Sequence, residues 1–438
     1  MSVSTDKSLK NPGGPTDDRG ALTGEVAPPI SWQAPVAYWV VAALTVLVFA
    51  LGAPTGSETT FSLATSKDFF QLAPLTVPAG PVTIGLGVLV AALAGYATYA
   101  AVRRVKVGVW VPVIVGIAFL LAFLVWSGAD KGNAIAVPNM LTQGLVFAVP
   151  LAFGAMAGLV CERSGIINIA IEGQLLAGAF LAAVVATLVS NPYAGLLAAP
   201  LAGAAVAAVL AWFAITYRVD QIIVGVVLNV LVTGLTSFLF STVLKENSST
   251  LNSPPRLPVI EIPLLSQIPI VGPMLFRQTI LVYILFVTIA VLQVMLFRSR
   301  WGLRMRAVGE HPKAADTVGI KVNRTRWRNT ILGGAIAGLG GASFTIALGL
   351  AFGKEMTAGR GFIALAAMIL GRWSPRGALL AALLFGLAEA LRGTLSIVGS
   401  PIPAQFLSML PYLATIFAVA GLVGRVRAPA AEGIPYTK

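Results

Sequence analysis

Long apolar runs separated by short polar or basic stretches recur along this chain from residue 36 to residue 424. A helix needs roughly 20 mostly apolar residues to cross a hydrocarbon core, and most of these runs meet that length. The pattern predicts spans at 36–52, 81–102, 107–127, 138–160, 167–189, 194–216, 222–244, 279–297, 329–352, 361–371, 376–395 and 406–424. The tenth is too short for an ordinary crossing, and Arg372 and Arg376 after it favour crossing over re-entry. The fold class is therefore all-α: a polytopic transmembrane helical bundle of about 11–12 membrane segments, with short or broken helices in its core.

The polar remainder divides the chain further. Residues 1–34 are rich in Pro, Gly and Asp, carry no apolar periodicity and read as a disordered tail. They are not a signal peptide: the first apolar run begins at Val36, among the interfacial aromatics Trp32, Tyr38 and Trp39, and lacks a small-residue cleavage site. Residues 35–130 form an N-terminal group of spans, 131–427 a core with a polar loop at 298–328, and 428–438 a C-terminal tail. The loops 53–80 and 245–278 are long, and the second holds Pro254, Pro255, Pro258, Pro263, Pro269 and Pro273. Proline at that density stiffens a loop, which serves equally as a connector or as a docking surface for a soluble binding protein.

Composition agrees with a bilayer: 57% of residues are hydrophobic, 11% charged, and the mean hydropathy is +0.86. A net charge of +13 could suggest nucleic acid, but its distribution argues otherwise. With a cytoplasmic N-terminus, cytoplasmic segments hold 22 of the 30 Lys and Arg residues and the opposite side 7. That asymmetry places both termini in the cytoplasm and explains the basic charge without nucleic acid. Cys161 is alone, so no disulfide, thiolate cluster or redox pair forms within the chain, and His311 lies in a basic loop, so no catalytic residue or metal site is expected. The chain has no Gly-x-x-x-x-Gly-Lys-Ser/Thr run, so energy for transport would come from a partner or an ion gradient.

Loop 298–328 carries nine Lys and Arg residues against Glu310 and Asp316. Within it, residues 310–319 read as a short helix, with Pro312 in the first turn beside Lys313 and Gly319 as the stop. Small Ala314 and Ala315 would let it approach another surface closely. Such a helix suits mechanical coupling to a cytoplasmic motor, or equally an amphipathic connector held to anionic membrane lipid. The spacing of Ala314, Ala315 and Gly319 resembles the signature loop of ATP-binding-cassette importer permeases, with Lys313 standing where that signature carries Glu.

Two further runs place polar groups and glycines where lipid would penalise them. One extends from Glu162 to Gln174, with Gly165, Asn168, Glu172 and Gly173; the other from Gly359 to Trp373, with Gly361 and Phe362. Paired, glycine-interrupted segments in two halves of a transporter point to a transport site near the midplane. Glu162 and Arg163 read as headgroup-level residues, Asn229 as a wall of the path, and Phe362 as an aromatic able to stack on a base or sugar. Glu389 and Arg392, three apart, read as a structural ion pair.

Over about residues 138–424 these runs resemble the permease family serving ribose, other simple sugars and nucleosides, and the first run is closest in wording to its nucleoside branch. The resemblance implies a bacterial inner-membrane permease that moves a nucleoside or simple sugar. It also implies a second permease subunit, an extracytoplasmic substrate-binding lipoprotein, and ATP and Mg on a separate ATPase, with no cofactor on this chain. The alternative is an ion-coupled secondary transporter with Glu172 or Glu389 as the coupling group. A membrane enzyme fits poorly, because the carboxylates are scattered.

Overall fold

The computed structural model describes residues 32–400 apart from 55, 106 and 109, isolated positions from 402 to 412, and 428–437. Almost all of the predicted tail 1–34 and of the predicted span 406–424 lies outside the described residues. The helices are α1 (Gln33–Leu44), α2 (Ala79–Val102), α3 (Trp110–Ser127), α4 (Val137–Glu162), α5 (Ile171–Val189), α6 (Pro192–Ala211) and α7 (Gln221–Leu239). The one-turn α8 (Ser248–Leu251) precedes α9 (Ile280–Arg298), α10 (Arg300–Glu310), α11 (Pro312–Thr317), α12 (Val322–Ala342), α13 (Arg360–Leu370) and α14 (Pro375–Val398). Widened turns carry α1, α6, α7 and α12 on to Ala50, Thr216, Leu244 and Ala347. Among the described residues ten helices are long and apolar enough to cross a membrane, and α13 is a shorter apolar helix.

Burial separates a centre from a periphery. In the most apolar window of α4, 89% of residues are buried inside the protein, against 28% in α2, so α4 is a core helix and α2 turns most of its surface outward. Helices α4, α5, α6 and α12 pack so closely that glycine is required at their crossings. A Cβ on Gly338 of α12 would strike the Ala199 carbonyl of α6, and one on Gly341 would strike the Leu175 carbonyl of α5. In lipid, where helix association gains little from the hydrophobic effect, such backbone approach supplies van der Waals contact that larger residues forbid. The first three helices pack on one another through Tyr38, Ala42, Val90, Ala94 and Val115. Phe49, Phe123 and Leu124 join them to Met140 of α4 and Leu391 and Leu395 of α14.

The predicted span 329–352 begins seven residues early, at Val322. Hydropathy misses that turn because Arg324, Arg326 and Arg328 interrupt it, whereas the helix continues because Arg326 is buried with its charge hydrogen-bonded to carbonyls.

The two long loops share one end of the bundle. In the first, β1 (Glu58–Ser62) pairs antiparallel with β2 (Leu75–Pro78) at Thr59↔Val77 and parallel with β3 (Ile135–Ala136) at Phe61↔Ile135. In the second, β4 (Val259–Glu261) pairs antiparallel with β5 (Arg277–Thr279). Phe69 N–H donates to the Gln267 carbonyl at 2.9 Å, and Lys67 pairs with Glu261 at 2.7 Å. The proline-rich loop is also tied to the top of α12, with Leu257 N–H on the Ile346 carbonyl and Asn252 bonded twice to the Phe352 backbone.

From Phe352, at that end, the chain descends through irregular backbone and α13 to Trp373, which meets Arg163 at the other, basic end. The short tenth segment thus crosses the bundle. Replacing Gly338 by Val is expected to destabilise the detergent-solubilised protein by about 1–3 kcal/mol in chemical unfolding. Gly116→Ala, where an added methyl meets open space, should leave the midpoint unchanged or raise it slightly.

Candidate functional site

Backbone geometry breaks the chain twice inside the bundle. Between α4 and α5, residues 163–170 are non-helical, and Gly165 takes φ +88°, a left-handed value open to glycine at no steric cost. The second break flanks α13, where Glu355, Ala358, Arg372 and Trp373 all have positive φ without being glycine. The two breaks lie side by side and antiparallel, fastened at both ends by carboxylates.

At one end Glu172, in the first turn of α5, accepts the Thr357 hydroxyl at 2.6 Å and the Gly359 N–H at 2.8 Å on Oε1, and the Gly361 N–H at 2.6 Å on Oε2. Gly361 has to be glycine here because a Cβ would collide with the Glu172 backbone. At the other end Glu162 accepts Trp373 Nε1–H at 2.6 Å, and Arg163 donates to the Trp373 carbonyl through Nε at 3.1 Å and Nη2 at 2.9 Å. Glu162 is only 4% exposed, so it faces the protein rather than headgroups, and together with the partly buried Arg163 it fastens α13. Burial lowers the Arg163 pKa, and nearby Glu310 opposes the shift.

The first break is held open by amides. Gln221 Oε1 accepts the Ile167 N–H at 2.7 Å; Asn229 Oδ1 accepts the Gly173 N–H at 2.8 Å, while its Nδ2 donates to the Ile169 carbonyl at 2.9 Å. Asn168 and Gln174, both fully buried, exchange amide hydrogen bonds of 3.0 and 3.1 Å. Gly165, Asn168, Glu172, Gly173, Gln174, Asn229 and Gly361 are therefore brought together. What they build is the frame of the breaks, with their polar atoms spent on backbone or on one another. Phe362, the residue after Gly361, is half exposed. Glu389 and Arg392 meet at 2.7 Å, and Arg360, which sequence reasoning left out, approaches the same Glu389 oxygen at 3.7 Å, linking α13 to α14.

At the basic end, α10 and α11 form a bent pair. Gly319 ends α11 with φ +84°. The two alanines face opposite ways: Ala315 is 3% exposed against Val308 and Val322, whereas Ala314 and Lys313 are exposed beside Val318. Next to them Arg300, Arg304, Lys321, Arg324 and Arg328 line a cleft of about 530 Å³. Glu310 accepts the Ala430 N–H at 3.2 Å, so the segment named a tail from its sequence is packed here. Glu432 of that segment lies beside Glu162, and burial pushes its pKa up. Among the described residues no three His, Cys, Asp or Glu side chains gather as a metal would require.

A family model described as the permease component of a branched-chain amino acid transport system matches residues 140–420. The chain belongs to that family. Two breaks framed by buried carboxylates, in a bundle of α4 to α14, are thus features of a permease. Among its relatives is a nucleoside ABC transporter permease protein, NupC, of Lactococcus lactis, 38% identical over 69% of this chain and 97% of its own. A guanosine ABC transporter permease protein of Bacillus subtilis, NupQ, is 39% identical over 67% of this chain and 95% of its own. A second nucleoside ABC transporter permease protein of the same Lactococcus, NupB, is 23% identical over 73% and 91%. No solved structure matches the chain.

Replacing Glu172 by Ala would strand a hydroxyl and two N–H donors in the interior of this permease. A loss of about 3 kcal/mol or more in unfolding free energy is expected, with faster proteolysis at 348–359; an unchanged unfolding curve would remove Glu172 from the frame.

Proposed function

We propose that this chain is a membrane-spanning subunit of an ATP-binding-cassette importer that carries a nucleoside inward across the bacterial cytoplasmic membrane. In this reading a separate ATPase subunit holds ATP and Mg, and both termini and the basic end of the bundle are cytoplasmic. The observation that carries it is the mounting of α11. Ala315 seats that helix on Val308 and Val322, at the foot of the central helix α12, and leaves Lys313, Ala314 and Val318 facing out. A force applied to the outer face meets a rigid element that passes displacement into the transmembrane core.

The proline-rich end, where two loops are pinned to each other and to α12, suits the docking of a substrate-binding lipoprotein. The names of the relatives support a nucleoside over a simple sugar. The match to two unequal permeases of one Lactococcus supports a sibling chain as the second permease subunit, rather than a copy of this one. Ion-coupled transport gains nothing from the geometry. Protonating Glu172 would put an O–H among donors that need an acceptor, and Glu389 is committed to Arg392 and Arg360.

Ala314→Trp, on the exposed face, is expected to reduce ATP-driven uptake of labelled guanosine about tenfold in reconstituted vesicles, with the chain still inserted in the membrane. Wild-type uptake that follows a proton gradient in vesicles lacking ATP would sink the importer reading.

A further inference from the structure

The C-terminal segment at 428–437 touches two places that are far apart in sequence. Its Ala430 N–H reaches Glu310 Oε2 at 3.2 Å, and its Ala431 N–H donates to the Gly309 carbonyl at 2.8 Å, so it begins at the end of α10. It then runs along the first break, where the Gly433 N–H donates to the Gly165 carbonyl at 3.3 Å and the Glu432 carboxyl lies close to that of Glu162. It returns toward α11, where Tyr436 packs on the cluster of Val308, Ala315 and Val322, close to Asp316.

Arg326 of α12, 1% exposed, sits under the middle of this path. Its Nη1 donates to the Ile434 carbonyl at 2.8 Å and its Nη2 to the Ala431 carbonyl at 3.4 Å. A buried guanidinium is costly unless its donors are met, and a large part of what meets them here is the C-terminal backbone. The same Nη2 lies where a Cβ on Gly165 would go, so strap, arginine and break are in mutual contact. Without the segment, the junction between α10 and the break keeps Gly309 packed against the Arg163 carbonyl and the longer-range attraction of Glu310 for Arg163. Packing resists compression and a distant charge pair resists separation weakly, whereas hydrogen bonds to both sides resist separation directly.

We propose that residues 428–437 are a strap joining the α10–α11 pair to the 163–170 break, so that pulling as well as pushing on α11 reaches the frame around Glu162 and Trp373. This rests on the coupling role proposed for α11, and its consequence is specific. Each stroke of the motor has a return stroke, and the strap supplies the tensile half.

The link itself can be read on the purified chain, without partners. Tyr436→Ala alters only the α11 end of the strap, yet hydrogen exchange at 163–170 is expected to rise about tenfold. Unchanged exchange there overturns the strap. In vesicles holding the whole transporter, Tyr436→Ala and a chain ending at Arg427 are expected to keep the ATPase bound and hydrolysing. The substrate moved per ATP should fall about tenfold. A segment that merely stabilises the fold would give less transporter with an unchanged ratio, and that result overturns the proposal. If uptake by the unaltered chain does not depend on ATP, the coupling role of α11 fails instead, and the exchange experiment still decides whether the strap exists.

Discussion

An amide hydrogen left without an acceptor inside a bilayer costs several kcal/mol, and this fold interrupts its backbone twice at membrane depth. The Glu172 carboxylate is the main answer to that cost. It lies in the first turn of α5 and at the N-terminus of α13, so one negative charge complements the positive ends of two helix dipoles. It also takes three donors, two of them backbone N–H groups at the start of α13. The placement of α13 against α5 depends on that carboxylate, and Arg360 and Glu389 add a tie from α13 to α14, which itself packs closely on α4 through Gly144 and Gly386.

A clamp of this kind needs a rigid support, which the glycine-lined α12 provides by drawing α5 and α6 into backbone contact. The rigidity stops at the ends of α13. Ala358 at one end and the consecutive Arg372 and Trp373 at the other hold left-handed backbone angles, a conformation that costs a non-glycine residue of order 1–2 kcal/mol. Backbone strain is thus stored on both sides of an eleven-residue helix in a core otherwise close-packed. The element between them is held by hydrogen bonds at its two ends, an arrangement with discrete rather than graded alternatives.

How much of this could be read from the sequence differs by feature, for physical reasons. Membrane helices announce themselves by length and apolarity, and the misplaced start of α12 marks the one place where buried arginine mimics a loop. The breaks were legible too, because Glu172, Asn168 and Gln174 are untenable in lipid and must be accounted for. Their partners were not. Thr357 and Gly361 are 185 and 189 residues away from Glu172, and nothing in local pattern links them. Glu162 differs because an acidic residue at a span end ordinarily faces headgroups, whereas here the Trp373 indole, 211 residues away, donates to it inside the protein. Residues 428–437 were named a tail because their attachments run largely through backbone groups, which leave no compositional trace.

Polar side chains in a transporter's spans invite assignment to the substrate path, and the geometry here argues for a different division of labour. Asn168 and Gln174 saturate each other, Asn229 and Gln221 serve the backbone of the first break, and Glu172 serves the second. A substrate drawing on these groups would first have to dismantle the frame that positions them. The half-exposed Phe362 is not committed in this way. A permease built this way can vary its apolar and aromatic surfaces while the carboxylate frame stays the same.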